Sequence, residues 1–110
     1  MRQYLLDEIG KADISRIKTY LDEHAIPARL EGIWWVDLQE DLLNEQQYAH
    51  GDFQPFCFAI ELGDKFIKFE FLIRSRLYLR CPYVDYANRQ QRDFIMGFAD
   101  RLVEDLGLRT

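Results

Sequence analysis

Cysteine is scarce in this chain: Cys57 and Cys81 are the only two in 110 residues. That is too few for a secreted disulfide framework, and the two are too isolated for a zinc site. Proline and glycine are sparse as well, with three and six residues, and no linker, low-complexity tract or internal repeat is present. No stretch approaches the ~18 apolar residues of a membrane-spanning helix. The opening residues, Met1 to Glu8, lack the apolar run of a secretory signal. The patterns HExxH, CxxC, GxSxG and GxxxxGKS are absent, and so is any glycine-rich phosphate loop. Lysine and arginine are missing from Leu30 to Asp64, yet the carboxylates there do not follow the spacing of a calcium loop. These absences lead to the expectation of a soluble cytoplasmic protein that needs no cofactor and no metal and does not associate with membranes.

The chain is rich in aromatic residues: eight Phe, six Tyr and two Trp, 15% of the residues, within a hydrophobic total of 48%. Its length fits one domain, with roughly two-thirds of the unfolded surface buried on folding. Wholesale disorder is excluded by that hydrophobic content. The formal net charge of −5 argues against a generic nucleic-acid binder.

Periodicity then places the elements. Residues Lys11 to Ala25 read as a helix with Ile14, Ile17, Leu21 and Ala25 on one stripe, stopped by Pro27. A shorter helix over Arg2 to Ile9, capped by Gly10, is expected before it. Ala28 to Asp37 reads as a strand, with Leu30, Trp34 and Val36 on one face and Arg29, Glu31, Ile33 and Trp35 on the other. Asp37 and Glu40 have the form of a capping box, which predicts a helix from Leu38 to about Tyr48, ended by His50 and Gly51.

Phe56 to Leu62 and Lys65 to Ile73 form a hairpin in this reading, joined by a two-residue turn at Gly63 and Asp64. That turn pairs Ile60 with Ile67, Phe58 with Phe69 and Phe56 with Phe71, all on one face. A third strand, Leu77 to Cys81, is expected after a loop at Arg74, Ser75 and Arg76. It would pair Ile73 with Leu77 and Phe71 with Leu79, and set Glu70 against Arg80 as an ion pair on the other face. The last helix is capped by Asn88 with Gln91, and Phe94, Ile95, Phe98, Leu102 and Leu106 form a broad stripe that ends at Gly107. The expected class is α+β: a single domain of order α-β-α-β-β-β-α, with a four-stranded, mostly antiparallel sheet and the N- and C-terminal helices packed on it. This order is similar, at the level of architecture, to small dimeric chaperone-like domains such as type III secretion chaperones.

Candidate chemistry is thin. Cys57 and Cys81 fall on opposite sheet faces by parity, so neither a disulfide nor a shared metal is expected. His24 flanks the first helix beside Tyr20, and His50 follows a helix end, where a basic side chain suits the helix dipole. A ligand-binding or enzymatic alternative would use His50, Asp52 and Arg74 or Arg76, with Arg74, Arg76 and Arg80 as an anion site. Basic residues and tyrosines interleave from Lys65 to Arg92, which allows single-stranded nucleic acid on the sheet as a further alternative. The RNA-binding Lys/Arg-Gly-Phe signature is missing.

The most informative pattern is the second sheet face, which carries Ile33, Trp35, Cys57, Ala59, Phe66, Leu72 and Tyr78 among charged neighbours. It is too apolar to be an ordinary solvated face. Either a helix covers it, or it is an interface to a second copy or another protein, with Trp35, Phe66, Tyr78, Ile33 and Leu72 as its contact residues. The expected function is accordingly a non-enzymatic adaptor or chaperone-like module, homodimeric through that face.

Overall fold

Two long helices lie on one face of an antiparallel sheet, and the apolar stripes read from the sequence are what hold them there. The computed structural model describes residues 2–109. Strand β1 spans Gln3–Leu6, helix α1 Lys11–His24, and the short strands β2 and β3 span Ile26–Pro27 and Ile33–Asp37. A single helical turn at Glu40–Leu42 and the short helix α2, Glu45–Ala49, follow, and then a turn at Gly51–Phe53. Strands β4 (Phe56–Leu62), β5 (Ile67–Glu70), β6 (Leu72–Ser75) and β7 (Asp85–Tyr86) precede helix α3, Arg89–Leu106. The class is α+β, as expected, but the sheet has seven strands instead of four.

The core sits between the helices and the face of Trp34, Val36, Phe56, Phe58, Ile60, Ile67 and Phe69. Ile17 and Leu21 of α1, and Ile95, Ala99 and Leu102 of α3, are fully enclosed against it. Phe94 and Phe98 meet Phe58 edge-on at 6.2 and 6.0 Å, a favourable aromatic geometry. Trp34 donates its indole N–H to Asp22 at 3.0 Å, tying β3 to α1. The helices are joined to each other by Tyr20 to Asp105 at 3.0 Å and by the Arg16 guanidinium on the Leu106 carbonyl. Gly107 takes the left-handed conformation, φ +63°, that ends α3.

Several expectations are corrected. The segment read as a helix over Arg2 to Ile9 is β1, which pairs with β5 (Tyr4 with Phe69, Leu6 with Ile67). Its apolar residues alternate, Leu6 buried and Leu5 exposed, and an unpaired β5 edge is a stronger attraction than a two-turn helix. Gly10 consequently precedes α1 and does not close an earlier helix. The strand over Ala28 to Asp37 shortens to β3, because Gly32, at φ +83°, turns the chain and the Ala28 N–H bonds the Ile33 carbonyl at 2.9 Å. Leu30 is left 70% exposed in that turn.

The helix expected from Leu38 to Tyr48 breaks into the Glu40–Leu42 turn and α2, whose capping box is Asn44 with Gln47. Asp37 does not cap it, because its carboxylate holds Arg76 through two bonds of 2.9 and 3.0 Å. Finally, the central hairpin keeps its faces but moves its register by two residues, pairing Ile60 with Phe69 and Leu62 with Ile67. The turn is therefore four residues long, with the Gly63 N–H donating to the Phe66 carbonyl at 2.8 Å.

The strand expected over Leu77 to Cys81 is not formed. β6 stays extended alongside β4, with Phe56 opposite Ser75 and the Arg76 N–H bonded to the Pro55 carbonyl at 2.9 Å. Ser75 then turns the chain outward: its hydroxyl donates to the Phe53 carbonyl at 2.6 Å and accepts from the Tyr78 N–H at 3.2 Å. Leu77, Tyr78 and Leu79 stand exposed in the loop, Leu79 at 94%, and β7 takes the place beside β6.

Candidate interaction face

Side chains alternate along β3, so burying Trp34 and Val36 under the helices sends Ile33 and Trp35 to the opposite face. There they meet Ala59 of β4 and Ile26 of β2, and the β2–β3 turn rises beside them. The result is an open groove of about 550 Å³. Its lining comes from strands and loops, and no helical residue contributes. The floor is apolar (Ile26, Ile33, Trp35, Ala59), and the walls carry Arg29, Arg74, Arg76 and Glu70.

The charged side chains on this face pair across and along strands. Lys68 meets Glu61 at 3.0 Å, and Arg74 meets Glu70 at 3.1 Å. Arg76 grips Asp37 with both Nε and a terminal nitrogen, a fork geometry in which both bonds are charge-assisted. That bond raises the guanidinium's pKa above its ordinary value, although burial opposes it. The Glu70–Arg80 pair expected from the sequence is replaced by Glu70–Arg74, because Arg80 leaves with the exposed loop.

Cys57 shares this face, as its parity requires, but it is completely enclosed. Burial pushes its thiol up to about 12, helped by Asp37 and opposed by Arg76 and Arg74. At neutral pH it is a thiol and not a nucleophilic thiolate. Cys81 is half-buried in the loop, packed against the core, and both cysteines are free.

The sequence-nominated contact residues separate into groups. Ile33 and Trp35 lie together in the groove. Leu72 lines an adjoining pocket of about 220 Å³ with Arg2, Tyr86, Glu70 and Arg74. Phe66 sits in the β4–β5 turn with its ring over Gly63, whose missing Cβ would fall 2.1 Å from it. Tyr78 packs edge-on against Phe53, with ring centroids 5.4 Å apart. Of the residues nominated for anions, Arg74 and Arg76 line the groove and Arg80 does not.

His50 stacks on Tyr83 at 3.8 Å and bonds the Gln46 carbonyl through Nδ1 at 2.8 Å, while Asp52 is exposed in the following turn. Arg74 and Arg76 line the groove and are paired with Glu70 and Asp37, so these four residues do not assemble into one constellation. Among the described residues, no three of His, Cys, Asp and Glu converge as metal ligands. No helix among the described residues is long and apolar enough to cross a membrane.

Sequence reasoning put Arg29 on the face of Ile33 and Trp35 without naming it as a contact residue, and it missed Ile26. The signal was available in part: Pro27 closes α1 and Gly32 permits the reversal that folds Ile26 back beside Trp35. No protein-family model, no curated protein and no solved structure matches this chain.

Proposed function

We propose that the protein is a non-enzymatic interaction module that docks another polypeptide on its uncovered sheet face, with Trp35 at the centre of the contact. One observation carries this reading: both long helices pack on one side of the sheet, and the other side keeps an open, apolar-floored groove. Tryptophan and isoleucine side chains on an open face are the kind of surface that gains from being covered, and aromatic anchors dominate such contacts.

The test is a displayed peptide library selected on the wild-type protein and counter-selected on Trp35→Glu. Trp35 is half-buried on the open face, so the variant is expected to keep its fold, checked by circular dichroism. Binders lost on Trp35→Glu support the reading. No Trp35-dependent binder, together with a monomer that leaves Trp35 accessible to quenchers at high concentration, refutes it.

A second version of this reading has a second copy of the chain as the partner. It is favoured by the exposed Leu77, Tyr78 and Leu79, an apolar element that the fold leaves uncovered. Light scattering separates the two versions, since self-association predicts a dimer that Trp35→Glu weakens.

A further inference from the structure

The charge of the groove has the opposite sign to that of the whole chain. The chain carries a formal −5, yet the groove wall presents Arg29, Arg74 and Arg76. The adjoining pocket adds Arg2 and shares Glu70 and Arg74 with the groove, so the two cavities are neighbours on either side of that ion pair. Against these four arginines stand Glu70 and Asp37, which are occupied by Arg74 and Arg76. Arg2 lies over the Tyr86 ring at 4.5 Å, and both Arg2 and Arg29 are exposed with no carboxylate within ion-pair distance among the described residues. The Arg74 Nε is enclosed without a hydrogen-bond partner.

We infer that the polypeptide this face receives is an acidic, extended segment with an aliphatic or aromatic anchor, a conclusion that rests on the docking reading above. The anchor covers Trp35, Ile33 and Ile26, and flanking carboxylates meet Arg29 at one end and Arg2 at the other. Two neighbouring cavities, with Arg29 in one and Arg2 in the other, suit a linear segment better than a compact ligand. Charge also discriminates against a second copy seated face to face. A two-fold pairing brings the same patch to itself, arginine against arginine, in addition to the repulsion between two chains of −5. An acidic segment reverses the first effect, and the nearby field of the unmatched arginines draws it into the groove while salt screens the more distant carboxylates of the chain.

The probes are two fluorescein-labelled peptides of equal length, acetyl-Glu-Glu-Leu-Glu-Phe-Glu-Glu-amide and its counterpart with lysine in place of each glutamate, titrated with the intact protein by anisotropy. The acidic peptide is expected to bind, and raising salt from about 50 to about 500 mM weakens it by about tenfold or more as the unmatched charges are screened. The double variant Arg2→Glu/Arg29→Glu, at two exposed positions, loses at least about tenfold. Trp35→Glu abolishes binding, and the lysine peptide does not bind. Equal binding of both peptides, or indifference to the double variant, overturns the acidic specificity while the docking reading stands. So does a dimer whose contact covers Trp35. If neither the acidic peptide nor any library member binds in a Trp35-dependent way, and the protein stays monomeric, both conclusions fall.

Discussion

Gln47 and Gln91 are each the third residue of a capping box, and both are fully buried. Each amide oxygen accepts from the backbone N–H of its own cap, Asn44 at 3.1 Å and Asn88 at 3.0 Å. The Gln91 amide then donates to Gln47 Oε1 at 3.0 Å and to the Leu42 carbonyl at 2.9 Å, and the Gln47 amide donates to the Tyr83 carbonyl at 3.2 Å. Two helix starts and one loop are thus fastened through a single buried polar junction. Because every member is satisfied, removing one leaves buried donors and acceptors unpaired. Gln91→Leu is expected to cost about 1–3 kcal/mol in denaturant unfolding, and an unchanged midpoint would show that the junction contributes nothing. Cys57 offers a pH-dependent counterpart. Its folded pKa, about 12, lies above the ordinary thiol value of 9.0, so folding favours the protonated form. Its contribution is fully present below pH 9 and is lost progressively as pH rises toward 12. Tyr20, raised by burial and by its bond to Asp105, acts in the same direction on the alkaline side. Unfolding measured through that window should therefore show a shallower alkaline loss for Cys57→Ala than for the wild type, and the native thiol should resist alkylation at pH 8.

At the scale of elements, what the sequence made legible depended on how local the determining interaction is. Helix α3 was readable because Asn88, Gln91, the apolar stripe and Gly107 all act within one segment. The faces of β3, β4 and β5 were readable because alternation survives any even shift of register. The shift itself depends on partners distant in sequence. β5 pairs with β1 while β6 pairs with β7, and Phe71 between them donates to the Arg2 carbonyl at 3.0 Å and accepts from Ala87 at 2.7 Å. No local pattern in Lys65 to Ile73 announces that exchange. The open groove was partly legible: parity put Arg29, Ile33 and Trp35 on one face, but Ile26 enters through a turn whose course Gly32 decides. The β4–β5 turn gives an element-scale prediction. The Phe66 ring occupies the space a side chain at position 63 would need, so Gly63→Ala must displace it, at a cost of about 1–3 kcal/mol as in other overpacked sites. Combined with Phe66→Ala the two changes should be markedly non-additive, with alanine at position 63 tolerated once the ring is gone. Simple additivity in the double-mutant cycle would mean that the ring is not what restricts the turn.

For the molecule as a whole, the aromatic excess divides by environment. Phe56, Phe58 and Phe69 are enclosed, Phe94 and Phe98 fasten α3 to the sheet, and Trp34 anchors α1. Trp35 on the open face and Tyr78 on the protruding loop are not absorbed in this way. That loop is held at its base, by Arg76 on Asp37, by the Ser75 hydroxyl and by Tyr78 against Phe53, so it presents its leucines from a fixed support. The exposed loop positions that an interaction would use have little burial to contribute to folding, and there the two roles can be separated experimentally. Leu79, at 94% exposure, has almost no burial to lose. Leu79→Ser is expected to leave stability within about 0.5 kcal/mol of the wild type, as surface changes do. Trp35→Glu tests the groove from the other side, and the pair of variants assigns any oligomer to one surface or the other. A dimer lost in Leu79→Ser but kept in Trp35→Glu belongs to the loop and leaves the groove free for its acidic segment. A dimer lost in Trp35→Glu alone belongs to the groove and excludes that segment from it. Loss in both variants means that the loop of one copy fills the groove of the next, a head-to-tail contact that can continue beyond two chains, so the scattering mass should then rise with concentration past the dimer value.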